Sequence, residues 1–215
     1  KILNKENSIL NKFVAQMRDK VVQRDPMRFR RNMERVAEIM AYEISKKLNY
    51  TTRMVETPLG IAAVEEISDK VVVATILRAG LPFHQGFLNF FDDAESGFVA
   101  AYRKSRPDGS FIVEVESVST SALSGKTLIL VDPMLTTGTS LMLVYDALIR
   151  RAGEPEHTHF AAVFASEQGV EYRWTTKGHS GTMLPIYLYG TAAENINCIM
   201  ENAELGAKLK ELISK

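Results

Sequence analysis

The stretch Thr127 to Leu141, TLILVDPMLTTGTSL, predicts a buried strand that leads through a loop of small residues into a helix. The uninterrupted apolar run 128–131 is typical of a strand that is covered on both faces. Asp132 and Pro133 should end this strand, because proline cannot continue a hydrogen-bonded ladder. A helix N-terminus carries unpaired NH donors and partial positive charge, so the segment predicts a binding site for a phosphate group.

An ordinary helix N-cap is the alternative interpretation of this loop, since Thr and Ser commonly precede helices. The loop offers more small donors than a cap requires, and it follows a carboxylate at the end of a buried strand. It is not a Walker A loop, because no G-x-x-x-x-G-K-[ST] pattern is present. We therefore expect a phosphate monoester on backbone and hydroxyl donors, with the carboxylate facing a sugar hydroxyl or a metal. This phosphate cradle consists of Asp132, Pro133, Met134, Leu135, Thr136, Thr137, Gly138, Thr139 and Ser140.

A second turn of similar character follows the apolar run Val71 to Leu77. Arg78, Ala79 and Gly80 connect this predicted strand to a predicted helix, and the Arg78 guanidinium could bind phosphate oxygens in a bidentate manner. Such a turn would be purely structural if it stood alone. Open α/β sheets, however, bind ligands at the carboxyl ends of their strands. The two loops together therefore predict one ligand with phosphate at both ends.

Strand and helix patterns alternate along the remaining chain, which favours an α/β fold with a mostly parallel central sheet and helices on both faces. The length of 215 residues suits a single domain with a small hood, which we expect to be formed by residues 50–70 and 175–200. The predicted helices cover residues 7–21, 28–48, 81–91 and 141–151, a hairpin covers 54–64, and strands cover 71–77, 97–102, 111–118, 128–131 and 158–165.

The composition excludes several classes of protein. Lys and Arg total 26 and so do Asp and Glu, which gives no support to generic binding of nucleic acid or of an anionic membrane. No apolar run reaches about 18 residues and no secretory leader pattern is present, so we expect a cytoplasmic protein without a membrane segment. Cys198 is the only cysteine and cannot form an internal disulfide. One cysteine and four scattered histidines do not make a zinc framework.

Three segments resemble the uracil phosphoribosyltransferase family, which belongs to the type I phosphoribosyltransferases. The run VDPMLTTGTS within the cradle resembles the family motif for phosphoribosyl diphosphate (PRPP). The run TILRAGLPFHQ at 75–85 is similar to the family's diphosphate-binding loop, and MRFRRNMERVAEIMAYE at 27–43 is similar to its N-terminal helix. The likeness runs from about Asn7 to Tyr172 and therefore covers most of the chain.

The resemblance implies a type I phosphoribosyltransferase-like fold and a transferase that forms UMP and diphosphate from uracil and PRPP. Arg78 to Gly80 would bind the diphosphate, the cradle would bind the 5-phosphate, and Mg²⁺ would accompany PRPP. Arg103 matches the family's diphosphate-contacting arginine, although it could also be an ordinary charge at a strand end. The segment KSRPDGS at 104–110 matches the flexible lid. The candidate catalytic residues are thus Asp132, Arg78 and Arg103. The resemblance and the apolar faces of the two N-terminal helices lead us to expect a homodimer or a higher homo-oligomer.

The C-terminal segment departs from the family pattern. Family members carry a sequence like Y-I-V-P-G-L-G-D-A-G-D that reads the pyrimidine edge, whereas CIMENAELGAKL stands at 198–209. The proline and both aspartates are missing, so no base-binding residue can be assigned. Three hypotheses stay open: a phosphoribosyltransferase that binds uracil or another base on a different surface or on a rebuilt hood around Tyr187 to Asn197, a PRPP- or nucleotide-binding regulatory paralogue without transferase activity, and a structural partner of an active homologue.

Overall fold

The computed structural model describes residues 3, 6–105, 111–135, 138–165 and 186–187. The helices are α1 (Ile9–Arg18), α2 (Pro26–Ser45), α3 (Leu81–Leu88) and α4 (Thr139–Ala152), with a short 3₁₀ helix at Val22–Arg24. The strands are β1 (Tyr50–Thr57), β2 (Gly60–Ile67), β3 (Val71–Leu77), β4 (Glu95–Ser105), β5 (Phe111–Ser119), β6 (Thr127–Val131), β7 (Met134–Leu135), β8 (His157–Ala161), β9 (Phe164–Ala165) and β10 (Ile186–Tyr187).

A six-stranded sheet in the order β10-β8-β6-β3-β4-β5 forms the centre of the described structure. Only the β4–β5 pair is antiparallel, and every other neighbouring pair is parallel. Alternate residues of the strands enter two separate cores. Val73 and Ile129 pack with α1, α2 and α3, whereas Val72 and Leu128 pack with α4. This alternation places helices on both faces of the sheet, so the predicted α/β architecture is confirmed.

Both N-terminal helices begin at side-chain caps. The Ser8 side chain accepts a hydrogen bond from the NH of Leu10 at 3.3 Å. The Asp25 carboxylate accepts from the NH groups of Met27 and Arg28, each at 3.0 Å, and a proline follows at the first helical position. The predicted positions of both helices are confirmed, although their ends differ from the prediction by a few residues. Most of the apolar side chains on both helices are buried, among them Leu10, Val14, Met33 and Ile44.

The predicted hairpin is confirmed and is longer than expected. β1 and β2 pair along their whole length as a separate two-stranded sheet, and Gly60 after the turn has a φ of 138°. The assignment of this hairpin to a hood stays a prediction. Its other half, 175–200, lies outside the described residues except for β10, which pairs with β8 in the central sheet.

The predicted strand 158–165 is divided in the structure. β8 ends at Ala161, whose carbonyl accepts a hydrogen bond from the NH of Asp132 at 3.0 Å. The NH of Phe164 then donates to the carbonyl of Pro133 at 3.0 Å, and β9 pairs with β7 in a small sheet of its own. After β8 the chain therefore leaves the central sheet and follows the loop after β6. The prediction of one continuous strand over residues 158–165 was wrong. In the described ranges, no helix is both long and apolar enough to span a membrane.

Candidate functional site

A pocket of about 240 Å³ opens at the carboxyl ends of β3 and β6. It lies between the turn after β3, the loop after β6, the first turn of α4 and the adjoining part of the β4–β5 ribbon. The two predicted loops therefore meet at one pocket, as their positions in the sequence indicated. Its lining residues are Ile76, Ala79, Ala101, Tyr102, Val113, Asp132, Met134, Leu135, Gly138, Ser140 and Leu141.

The turn after β3 exposes Arg78 and Ala79 and buries Gly80. The peptide bond between Leu77 and Arg78 is cis. A Cβ atom at Gly80 would lie 1.9 Å from Oγ1 of Thr75 and 2.8 Å from the carbonyl oxygen of Ile76. Only glycine fits at this position because backbone and side-chain atoms approach too closely for any Cβ. The turn thus depends on close packing against the end of its own strand.

In the cradle, Asp132 is half-buried at the end of β6 and lines the pocket. Its Oδ1 atom accepts a hydrogen bond from the NH of Met134 at 3.3 Å, which orients the carboxylate within the loop. Pro133 is buried, while Met134 is exposed and Leu135 is buried. A carboxylate that is held in this way at the edge of an open pocket could accept hydrogen bonds from sugar hydroxyls.

Gly138 caps α4 in the left-handed conformation, with a φ of 75°. Its carbonyl accepts the first helical hydrogen bond, from the NH of Met142 at 3.0 Å. No acidic residue occupies the first turn of α4. Ser140 is half-buried in this turn and lines the pocket. The helix end and its dipole therefore favour an anion at the pocket.

Other predicted site residues are described only in part. Arg103 lies in β4 and Thr139 begins α4, but their side chains lie outside the described structure. Thr136, Thr137, residues 106–110 of the predicted lid and the segment 198–209 lie outside it entirely. The roles assigned to all of these residues stay predictions.

Part of the pocket wall was not predicted from the sequence. Tyr102 is the largest of the missed residues, and Ile76, Ala101 and Val113 accompany it from β3, β4 and β5. The position of Tyr102 directly before Arg103 could have indicated a pocket residue. Its orientation depends on the pairing of β4 with β5, however, and that pairing is not visible in the sequence.

His84 packs in the core behind the turn that follows β3. Its Nε2 atom lies 3.1 Å from the carbonyl oxygen of Val73, and its ring contacts the ring of Phe98. Burial lowers the pKa of His84, so the neutral imidazole predominates near pH 7. Across the described ranges, no group of three or more His, Cys, Asp or Glu side chains could hold a metal ion.

The family model for uracil phosphoribosyltransferase matches residues 4–183 of this sequence. The chain belongs to the uracil phosphoribosyltransferase family. This match includes the turn after β3, the cradle and the pocket-lining part of the β4–β5 ribbon. It ends before residues 198–209, where the family's base-reading segment was expected.

Two curated relatives have the same family name. The chain is 53% identical over 170 residues to the uracil phosphoribosyltransferase of Porphyromonas gingivalis, covering 79% of this chain and 78% of the relative. It is 36% identical over 149 residues to that of Methanothermobacter thermautotrophicus, covering 68% of each chain. Among solved structures, the AQ2163 protein from Aquifex aeolicus has the same fold, with a TM-score of 0.71 at 20% identity over 88% of this chain and 85% of that one.

Proposed function

We propose that the chain transfers the phosphoribosyl group of PRPP to uracil and releases UMP and diphosphate. The observation that carries this proposal is the single pocket shared by the turn after β3 and the cradle after β6. PRPP has a monophosphate at one end and a diphosphate at the other, so it matches two anion-binding loops on one sheet edge. The names of the relatives supply uracil as the acceptor.

PRPP would bind with its 5-phosphate at the N-terminus of α4, where Gly138 and Ser140 line the pocket. Asp132 would accept hydrogen bonds from the ribose hydroxyls, because its carboxylate borders the same space. Arg78 is exposed at the turn after β3 and would contact the diphosphate. Arg103 is proposed as a second cation for that group. This arrangement orients the anomeric carbon toward an incoming base.

The reaction breaks the bond between the anomeric carbon and the diphosphate oxygen and forms a bond to a ring nitrogen of uracil. The electrons of the broken bond leave with diphosphate, and the ring nitrogen loses its proton. Positive charge develops on the sugar ring in the transition state, so catalysis needs fixed charges more than a nucleophilic side chain. Arg78 and Arg103 would stabilise the leaving diphosphate. Residues 104–110, the predicted lid, would exclude water, the competing nucleophile.

The residues at the pocket fit a magnesium ion that arrives with PRPP. Mg²⁺ is commonly held by one or two carboxylates together with substrate phosphate oxygens and water. Asp132 supplies such a carboxylate at the pocket. When bound, the ion would neutralise negative charge on the diphosphate as that group leaves.

A homodimer and a cytoplasmic setting are also proposed. Most apolar side chains of α1 and α2, whose apolar faces first suggested association, are buried inside the chain, although Ile9, Met27 and Tyr42 are exposed. The main support comes from exposed apolar side chains on one face of the β1–β2 hairpin, namely Tyr50, Met54, Ile61 and Ile67. A second copy could cover this surface. The single cysteine fits a reducing compartment.

The direct test is a diphosphate-release assay with PRPP and a panel of uracil, other pyrimidines and purines. We expect turnover with uracil and little with purines. Tight binding of PRPP without turnover on any base would contradict the transferase proposal and would favour the regulatory hypothesis. Turnover with a different base only would support the transferase proposal but would show that this base, and not uracil, is the acceptor.

A further inference from the structure

Thr75 is a buried polar residue beside the candidate site. Its side chain is completely buried near the end of β3, whereas the next residue, Ile76, lines the pocket. Successive side chains of a strand point to opposite faces of the sheet, so Thr75 shares the face of Val73, which packs with α1, α2 and α3. The Thr75 hydroxyl therefore lies on the face away from the pocket, and any effect that it has on a ligand passes through the residues that it contacts.

The Thr75 hydroxyl holds the peptide group that leads into the cradle. It donates a hydrogen bond to the carbonyl oxygen of Val131 at 3.0 Å. The NH of the same peptide group belongs to Asp132 and donates to the carbonyl oxygen of Ala161 in β8, also at 3.0 Å. This peptide group is thus hydrogen-bonded on both sides, to β3 and to β8. Because the Asp132 side chain follows directly, its position relative to β3 depends on the hydroxyl.

The same oxygen atom lies against the turn after β3. A Cβ atom at Gly80 would come within 1.9 Å of Oγ1 of Thr75, so the backbone of Gly80 packs directly on the hydroxyl. The NH of Gly80 also donates to the carbonyl oxygen of Ile76 at 3.2 Å, which holds the turn on the end of its own strand. The turn contains Arg78 and Ala79, and Ala79 lines the pocket. One buried hydroxyl therefore contacts the backbone at both proposed phosphate-binding loops.

We propose that Thr75 is a positioning residue for PRPP and that its hydroxyl sets the spacing between the turn after β3 and the cradle. This inference rests on the proposed function. A ligand with phosphate at both ends gains affinity from its second contact only when the two sites match its length. A fragment that occupies one site does not depend on this spacing. The hydroxyl should therefore affect the binding of PRPP and have little effect on ribose 5-phosphate or diphosphate alone.

Calorimetric titrations with PRPP, ribose 5-phosphate and diphosphate on Thr75→Val and Thr75→Ala test the proposal. Both variants lose the donor, and Thr75→Ala does so without placing a methyl group against Gly80. The Kd for PRPP should rise by at least about tenfold as the two sites lose their match to the ligand. The Kd of each fragment should change by less than about threefold. Thr75→Ser keeps the hydroxyl and should return the Kd for PRPP to within about threefold of the unaltered chain.

Thr158→Val is the matched control. Thr158 is 3% exposed in β8, and its Oγ1 atom lies 3.5 Å from the hydroxyl oxygen of Tyr145. Its register partner Leu128 is near the amino end of β6, so Thr158 lies at the end of the sheet away from the pocket. This variant should bind PRPP like the unaltered chain, and far-UV circular dichroism checks that every variant is folded during titration. The comparison separates the loss of any buried hydroxyl from the loss of the one between the two loops.

Three results would overturn the inference: an unchanged PRPP affinity in folded Thr75→Ala, equal losses of affinity for PRPP and for both fragments, or a failure of Thr75→Ser to restore PRPP binding. The titrations need no turnover, so the inference and the proposed function can fail separately. An unaltered chain that binds PRPP but turns over no base would contradict transfer, while a selective loss of PRPP affinity in Thr75→Ala would still support positioning. Failure of the unaltered chain to bind PRPP would overturn both.

Discussion

The hydroxyl of Thr75 donates a hydrogen bond to the carbonyl oxygen of Val131, 3.0 Å away. Thr75 is completely buried near the end of β3, and Val131 is the last residue of β6. The same hydroxyl occupies the space that a side chain at Gly80 would need. One oxygen atom therefore connects the strand before the proposed diphosphate turn, residues 78–80, with the strand before the cradle.

Replacement of Thr75 by valine should leave the carbonyl of Val131 without this donor. A buried polar group that loses its partner costs about 1–3 kcal/mol, so the free energy of unfolding should fall by about that amount. Urea denaturation measures the change. Thr51→Val on the exposed hairpin is the control and should alter stability by less than about 0.5 kcal/mol. Equal stability of the two variants would contradict a structural role for the Thr75 hydroxyl.

Gly80→Ala should disturb the diphosphate turn, since the new Cβ would clash with Thr75 and the backbone of Ile76. We expect the affinity for PRPP to fall by more than about tenfold, equivalent to about 1.4 kcal/mol. Gly86→Ala is the matched control, because its Cβ would meet the carbonyl oxygen of Glu34 at 2.3 Å, between α3 and α2. That variant should lose stability but keep its PRPP affinity when folded. Similar PRPP affinities in the two variants would remove Gly80 from the site.

Asp132→Asn should lower kcat/KM for PRPP by about tenfold to a hundredfold, as expected when a charged hydrogen-bonding group is neutralised. The asparagine carbonyl can still accept from the NH of Met134, so the loop should keep its shape. Asp146→Asn, on an exposed position of α4, serves as control. Unchanged kinetics in Asp132→Asn would exclude this residue from ribose binding.

His159 should make the fold less stable in mild acid. It is buried beside His157, and burial lowers the pKa of His159 from 6.5 to about 4. Between those two values the unfolded chain binds a proton that the folded chain does not, so stability is complete above the unfolded pKa and declines as pH falls. We expect a loss of about 2 kcal/mol between pH 7 and pH 5 from this group.

Urea unfolding of the unaltered chain and of His159→Gln at the two pH values checks this expectation. The variant should show a smaller difference between them, whereas His157→Gln at the exposed neighbouring position should retain most of it. An equal pH dependence in His159→Gln and the unaltered chain would contradict the assignment.

Local patterns in the sequence predicted much of the fold. The bounds of β3 agree with the apolar run Val71 to Leu77, because a strand covered on both faces must be apolar throughout. The hairpin and α4 are also predicted by local turn and helix patterns. The division of the predicted strand 158–165 is not, since it depends on hydrogen bonds from the loop after β6.

Some residues of the candidate site were likewise predicted from local sequence patterns, and others were not. Ala79, Asp132 and Ser140 were predicted because phosphate-binding loops have a local composition, and they line the pocket. Tyr102 was missed because its place at the pocket depends on the pairing of β4 with β5. A sequence pattern reflects the neighbours of a residue along the chain, whereas a strand register depends on the partner strand.

The proposed function requires the two loops to bind opposite ends of one PRPP molecule. Competition titrations with PRPP, ribose 5-phosphate and diphosphate on the unaltered chain and on Arg78→Gln test this requirement. PRPP should bind at least about a hundredfold more tightly than either fragment, because linked groups bind with high effective concentration. Arg78→Gln should weaken PRPP and diphosphate but not ribose 5-phosphate. PRPP that binds no more tightly than ribose 5-phosphate would contradict the claim.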